Sequence, residues 1–168
     1  MSEFRKVNPQ TIADNVFKLV GTDWMLITAG KIDGFNTMTG SWGGMGVLWD
    51  MNVCFCVIRP TRYTYSFMEQ SDYFSLSFFN VEFRNVLTFC GTNSGRDVDK
   101  PVKTGLTPIG GASGCVYFDE ARLVMECRKI YYQDITPINF ADPLIDSKYP
   151  LKDYHRMYIG EVVNCLVK

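Results

Sequence analysis

Phe35-Asn36-Thr37-Met38-Thr39-Gly40-Ser41-Trp42-Gly43-Gly44, running through a short apolar stretch into Arg59-Pro60-Thr61-Arg62-Tyr63-Thr64, is the part of the chain whose reading decides the rest. Small residues in its first half let backbone amides approach a flat ring closely. Arginines and hydroxyls in its second half stand just past a strand, where they suit a terminal phosphate. Together the halves point to an aromatic, anionic ligand.

Outward from this stretch, Trp24 to Ala29 reads as a strand and Asp33-Gly34 as the hairpin-type turn that returns the chain into the glycine-rich segment. Asn52 to Ile58 is apolar on both faces and is expected to be buried on both. A short helix is expected from about Tyr63 to Gln70, with its first amides near Arg59 and Arg62. Upstream, Asn8-Pro9 has the form of a cap and first-turn proline for a helix carrying Ile12, Val16, Leu19 and Val20 on one side, with Gly21 as its stop.

Downstream, Tyr73 to Phe78 alternates at period two, placing Phe74, Leu76 and Phe78 on one face and the serines on the other. Asn80 is placed to cap a helix with the apolar stripe Phe83, Val86, Leu87 and Cys90, ending at Gly91 before the polar loop Thr92 to Lys100. Cys115 to Phe118 and Leu123 to Tyr132 read as a hairpin turning at Asp119-Glu120, and Met157 to Val167 as a last strand. Ile135 to Pro150, with three prolines, reads as a long excursion. Strands without regular strand-helix alternation favour an antiparallel barrel with peripheral helices over a doubly wound sheet, in a single domain spanning residues 1–168.

Composition narrows the function. With 17 basic and 18 acidic residues, no global field recommends nucleic acid or an anionic membrane, so any phosphate site is local. The start lacks an apolar leader, and the run Val53 to Ile58 is too short to cross a bilayer, which gives the expectation of a soluble cytoplasmic protein. Cys54, Cys56, Cys90, Cys115, Cys127 and Cys165 lie in hydrophobic segments without metal-ligand or secreted-disulfide spacing, which suits a reducing compartment. The same-face pair Cys54 and Cys56 reads as core rather than as a redox couple, and no metal site or nucleophile triad is expected.

Four blocks in order carry a resemblance: Asn36 to Trp42, Arg59 to Thr64, Ser94-Gly95-Arg96-Asp97-Val98-Asp99-Lys100, and Asp153-Tyr154-His155-Arg156-Met157-Tyr158-Ile159-Gly160-Glu161-Val162. Over nearly its whole length the chain resembles the flavin reductase-like, FMN-binding split-barrel proteins, in particular the flavoredoxin-like branch. That resemblance implies a mainly β fold, a six-stranded antiparallel split barrel that forms a homodimer, with one FMN per subunit near the subunit boundary. It places Asn36, Met38, Thr39, Gly40, Ser41 and Trp42 along the isoalloxazine edge and Arg59, Thr61, Arg62, Tyr63 and Thr64 at the phosphate. Ser94, Gly95, Arg96 and Lys100 close over the ribityl-phosphate side, and His155 stands near the redox face.

FMN joins the flat ring and the phosphate that the residues themselves suggest. Many short-chain flavin reductases carry small residues where this chain has Thr61-Arg62-Tyr63-Thr64, which implies a stronger phosphate grip and a retained cofactor. Trp42 either bounds the ring or fills the core, and Lys100 faces either the N1–C2=O end of the flavin or its phosphate, where a cation stabilises the charge of reduction. His155, the only histidine, is assigned positioning rather than essential proton transfer. The expected activity is hydride transfer from NADH or NADPH through FMN to a second acceptor, a small molecule or a protein. The alternatives are a flavoredoxin-like electron carrier docking a protein partner and a non-catalytic FMN-binding protein.

Overall fold

The structure, a computed structural model, describes residues 3–168. In chain order it contains β1 (Arg5–Val7), a 3-10 turn (Pro9–Thr11), α1 (Val16–Lys18) continuing as a π turn (Leu19–Asp23), β2 (Met25–Lys31), β3 (Gly34–Gly40), β4 (Gly43–Leu48) and β5 (Met51–Ile58). Then come α2 (Tyr63–Gln70), β6 (Tyr73–Phe78), a 3-10 turn (Val81–Phe83) leading into α3 (Arg84–Thr92), and α4 (Lys100–Thr104). The chain ends with β7 (Pro108–Gly110), β8 (Val116–Phe118), β9 (Leu123–Asp134), two 3-10 turns (Pro137–Asn139 and Pro143–Lys148) and β10 (Arg156–Val167).

The main sheet is antiparallel, in the order β3-β2-β6-β9-β10-β5-β4, with β1 beside the far end of β10. Its two edge strands, β3 and β4, are separated in sequence only by Ser41-Trp42. Six inter-strand spacings span about 29 Å, whereas the link from Gly40 to Gly43 reaches about 11 Å. The sheet is therefore forced to curl until its edges meet, and since no ladder joins β3 to β4 the barrel is split. Gly43 makes the corner possible: it takes a φ of 154°, and a Cβ there would overlap the Phe55 carbonyl oxygen.

The split barrel expected from the sequence thus stands. The run β3-β2-β6-β9-β10-β5 supplies six strands, and β4 and β1 extend it. The interior packs Met25, Ile27, Cys54, Cys56, Ile58, Phe74, Leu76, Met125, Cys127 and Tyr158. A second layer, with Leu26, Leu87, Cys90, Phe118 and Val124, lies outside β2 and β6, under α3 and β8. The serine face of β6 is consequently buried as well, and Ser75 donates to the Val116 carbonyl.

Several local expectations are corrected. The early helix is broken, because Asn8 and Asn15 each act as an N-cap and so start two short turns, while Asp14 between them is held by Arg122 at 2.6 Å. Gly21 lies inside the π turn rather than ending a helix. The β2–β3 turn is Ile32-Asp33, and Gly34 already pairs with Lys31.

Asn80 makes no side-chain cap, and Gly91 lies within α3, facing Thr39. β5 is not buried throughout: on the face opposite Cys54, Cys56 and Ile58, Val53 is covered but Phe55 is 37 % exposed. The chain does turn at Phe118–Ala121, but β8 pairs with β7, not β9. Both edges of β9 are already saturated by β6 and β10.

All six cysteines are free and buried. Burial drives the Cys56 thiol far above its ordinary pKa and that of Cys115 up to about 12, which suits core residues rather than a redox pair. Among the described residues, no cluster has metal-holding geometry, and no helix is long and apolar enough to cross a membrane.

Candidate functional site

α2 starts where β5 ends, at the Arg59-Pro60-Thr61-Arg62 corner. Arg62 occupies its N-cap position without a side-chain cap bond, so the first helix amides remain available to a ligand. β3 passes beside it, and Asn36 Nδ2 donates to Thr64 Oγ1 at 2.7 Å, tying strand to helix. The loop after α3 folds onto both: Ser94 Oγ accepts from the Arg96 amide at 3.2 Å, and the Arg96 guanidinium stacks 4.7 Å from the Tyr63 ring centre. Gly95 sits flush against Asn36, where a Cβ would overlap Oδ1.

This arrangement encloses a cleft of about 180 Å³ lined by Asn36, Met38, Thr61, Arg62, Tyr63, Thr64, Ser94, Gly95, Arg96 and Lys100. Three blocks far apart in sequence meet there. Arg62 is braced by the Gly91 carbonyl at 3.0 Å, and burial lowers its pKa. Lys100, the first residue of α4, is 3 % exposed and donates to the Thr37 and Cys90 carbonyls at 2.7 and 2.8 Å. Burial brings its pKa down to about 8, with Cys90 opposing and Arg62 adding to the shift. Among the described residues none of Arg62, Arg96 and Lys100 lies within ion-pair distance of a carboxylate.

Other expected site residues are placed elsewhere. Arg59 turns away from the cleft to pair with Asp153 at 2.5 Å and to donate to the Lys148 carbonyl at 3.0 Å, with its guanidinium 4.8 Å from the Tyr149 ring centre. Thr39 donates to the Leu87 carbonyl, anchoring β3 to α3, and Gly40 pairs with Met25 on β2. Ser41 and Trp42 form the barrel corner.

Trp42 is 47 % exposed and its ring lies 5.1 Å from that of His155, so it does not fill the core. His155 Nδ1 is 2.9 Å from the Tyr149 hydroxyl. Burial and the nearby Arg59 guanidinium lower its pKa to about 4 against the opposing pull of Asp153, so the ring is neutral at physiological pH. The sequence reading missed Asp153 and Tyr149 as the partners that fix Arg59 and His155. It also missed α4, although Asp99-Lys100-Pro101 carries the cap and first-turn proline that announce it.

A split antiparallel barrel with a cleft lined by basic side chains at the start of α2 defines the class, and sequence places the chain within it. The flavin reductase-like domain family matches residues 17–168, and the chain belongs to that family. No curated protein matches the chain. Solved structures share the fold: an FMN-binding protein from Thermus thermophilus with bound 1-cyclohex-2-enone is 20 % identical with a TM-score of 0.66, over 98 % of this chain and 79 % of that one. The flavoredoxin of Desulfovibrio vulgaris (Miyazaki F) is 20 % identical with a TM-score of 0.69, over 96 % of this chain and 77 % of its own. An FMN-binding domain of a flavin reductases-like enzyme from Shewanella baltica OS155 is 17 % identical with a TM-score of 0.69, over 98 % and 77 %.

Proposed function

We propose that this protein binds FMN and acts as an oxidoreductase, taking electrons from NADH or NADPH and passing them to a second acceptor. The observation that carries the reading is the convergence of Arg62, Arg96 and Lys100, without carboxylate partners, on one small cleft that also presents the Thr61, Thr64 and Ser94 hydroxyls. A terminal phosphate dianion supplies the charge this set lacks. Two of the three Lys100 N–H groups are engaged by carbonyls, which leaves one for the ligand.

Beyond the phosphate, β3 is a sheet edge, so its outward N–H and C=O groups other than the Thr37 carbonyl, which Lys100 occupies, are available to a ring lying along Asn36 to Trp42. FMN, when bound, accepts hydride and releases electrons singly or in pairs. The protein's own share is position and charge. Neutral His155, held by Tyr149 beside Trp42, orients what approaches the ring and is not an imidazolium acid at neutral pH.

In this reading the working form is a homodimer. Val47, Leu48, Phe55, Tyr131 and Tyr132 on β4, β5 and β9 are exposed, as is Trp49 in the β4–β5 turn, which packs 5.9 Å from Tyr131. Such a run of apolar and aromatic surface is characteristic of an interface.

The test is titration with FMN followed by anaerobic addition of NADH or NADPH while flavin absorbance is recorded. Yellow protein that bleaches with either nucleotide is the expected result. Protein that stays colourless in excess FMN ends the reading, and bound flavin bleached by dithionite but by neither nucleotide replaces the enzyme with an electron carrier. Arg62→Ala is expected to weaken FMN at least about tenfold, the loss of one charge-assisted contact of roughly 1.5–3 kcal/mol, whereas Arg59→Ala leaves FMN affinity within about threefold.

A further inference from the structure

The excursion between β9 and β10 gathers Phe140, Tyr149 and Tyr154 into one cluster. The Tyr149 and Tyr154 ring centres are 4.9 Å apart, and Phe140 lies 6.2 and 6.1 Å from them. Tyr149 is also 5.4 Å from the His155 ring, which is itself 5.1 Å from Trp42. Trp42, His155, Tyr149 and Tyr154 thus form an unbroken run of neighbouring rings. It starts at the barrel corner, where Trp42 is open to solvent, and ends at Tyr154 beside the partly exposed Asp146.

Each tyrosine of the run has a base on its hydroxyl. Tyr154 donates to Asp146 Oδ1 at 2.7 Å, while Asp146 Oδ2 is taken by Lys152. Tyr149 is 3 % exposed, and among the described residues its hydroxyl has no side-chain partner except His155 Nδ1 at 2.9 Å. A buried hydroxyl proton needs an acceptor, so Tyr149 donates and Nδ1 carries the lone pair. A phenol that loses an electron becomes a strong acid, and a base already hydrogen-bonded to it takes the proton in place. Packing alone requires neither base, since Phe140 fills the same cluster with no hydroxyl.

Resting on the FMN reading for what stands beside Trp42, we propose that Trp42, Tyr149 and Tyr154 form a relay that carries oxidising equivalents from the redox face to the surface. The oxidant is a radical of oxygen, the class formed where a reduced flavin meets dioxygen, and it takes one electron and the indole N–H proton from Trp42. Tyr149 then gives an electron to Trp42, which recovers its proton from solvent; the Tyr149 O–H bond breaks and its proton passes to His155 Nδ1. Next Tyr154 gives an electron to Tyr149, which takes its proton back from His155, and Tyr154 loses its own proton to Asp146. The net change is one electron lost from Tyr154 and one proton gained by Asp146, with Trp42, Tyr149 and His155 restored. Short steps between neighbouring rings outrun a single long one, so the oxidising equivalent leaves the indole beside the cofactor for a phenol near the surface, where a thiol in solution reduces it.

Pulse radiolysis with the azide radical, which oxidises tryptophan selectively, tests the relay on the full chain without flavin. The chain has three tryptophans, and a Trp24→Phe/Trp49→Phe background leaves Trp42 as the only indole. The expected result is first-order decay of the indolyl absorbance with matching growth of phenoxyl absorbance, at a rate independent of protein concentration. Tyr149→Phe is expected to slow this decay at least about tenfold. Tyr154→Phe is expected to keep the decay but move the freeze-trapped paramagnetic signal from Tyr154 to Tyr149. Equal decay with and without Tyr149 overturns the relay, as does an unaltered trapped signal in Tyr154→Phe. Should circular dichroism show the background variant unfolded, the comparison is read in the chain with all three tryptophans, where an unchanged converted fraction in Tyr149→Phe overturns the relay and a smaller one supports it. Failure of FMN to bind sinks the reading of the small cleft, whereas the relay stands or falls on the radiolysis.

Discussion

Lys100 and Arg59 show how a residue's role is set by what surrounds its charge. Lys100 is held by two carbonyls and no carboxylate, and its burial, with Arg62 nearby, brings its pKa down to about 8. The groups around it are Cys90 on α3, Arg62 at the head of α2, and Arg96, Asp97 and Asp99 on the loop. The protonated form attracts phosphate, so FMN affinity is expected to be highest below pH 8 and to decline as pH rises through that value. Bound phosphate shifts the decline upward. Fluorescence titration across pH checks this, and Lys100→Met is expected to weaken FMN at neutral pH and abolish the decline. Arg59 and Arg62 are alike in sequence context, yet only Arg62 enters the cleft, because Asp153 on a distant segment captures Arg59 first.

At the scale of elements, those whose pattern was purely local were legible. α2 and β6 run over Tyr63–Gln70 and Tyr73–Phe78, as their spacing required. The early helix failed because two asparagine caps compete within one apolar periodicity, and the β8 pairing failed because a turn signal names a reversal but not a partner. The loop Asn93 to Asp99 was legible as polar, but its seating was not. Gly95 is required where the loop crosses β3, since a Cβ would overlap Asn36 Oδ1 and approach Tyr63 to 3.2 Å. Gly95→Ala is expected to break the Asn36–Thr64 bond, to cost about 1–3 kcal/mol, and to lower both the thermal midpoint and FMN affinity. Calorimetry beside a flavin titration measures both.

For the whole molecule, curling is imposed by a two-residue link between strands at opposite sheet edges, and it is this curl that leaves β3 with an open edge beside α2. The same curl exposes the aromatic outer face around Trp49, whose φ of 51° beside Asp50 at 57° gives a tight primed turn holding the indole against Tyr131. A stable dimer needs about 800 Å² per partner, and, if the proposed homodimer forms through this face, Trp49→Asp is expected to give monomer by light scattering while the barrel remains folded. The sequence by itself determined the strand-rich class, the family, and three blocks whose residues line one cleft, because periodicity, turn residues and local motifs are written in neighbouring positions. Only the tertiary structure decided that Arg59 leaves the cleft, that Lys100 is buried on carbonyls, and that His155 is neutral. Each of those depends on partners brought from far along the chain, whose desolvation and pairing exist only after the barrel closes up.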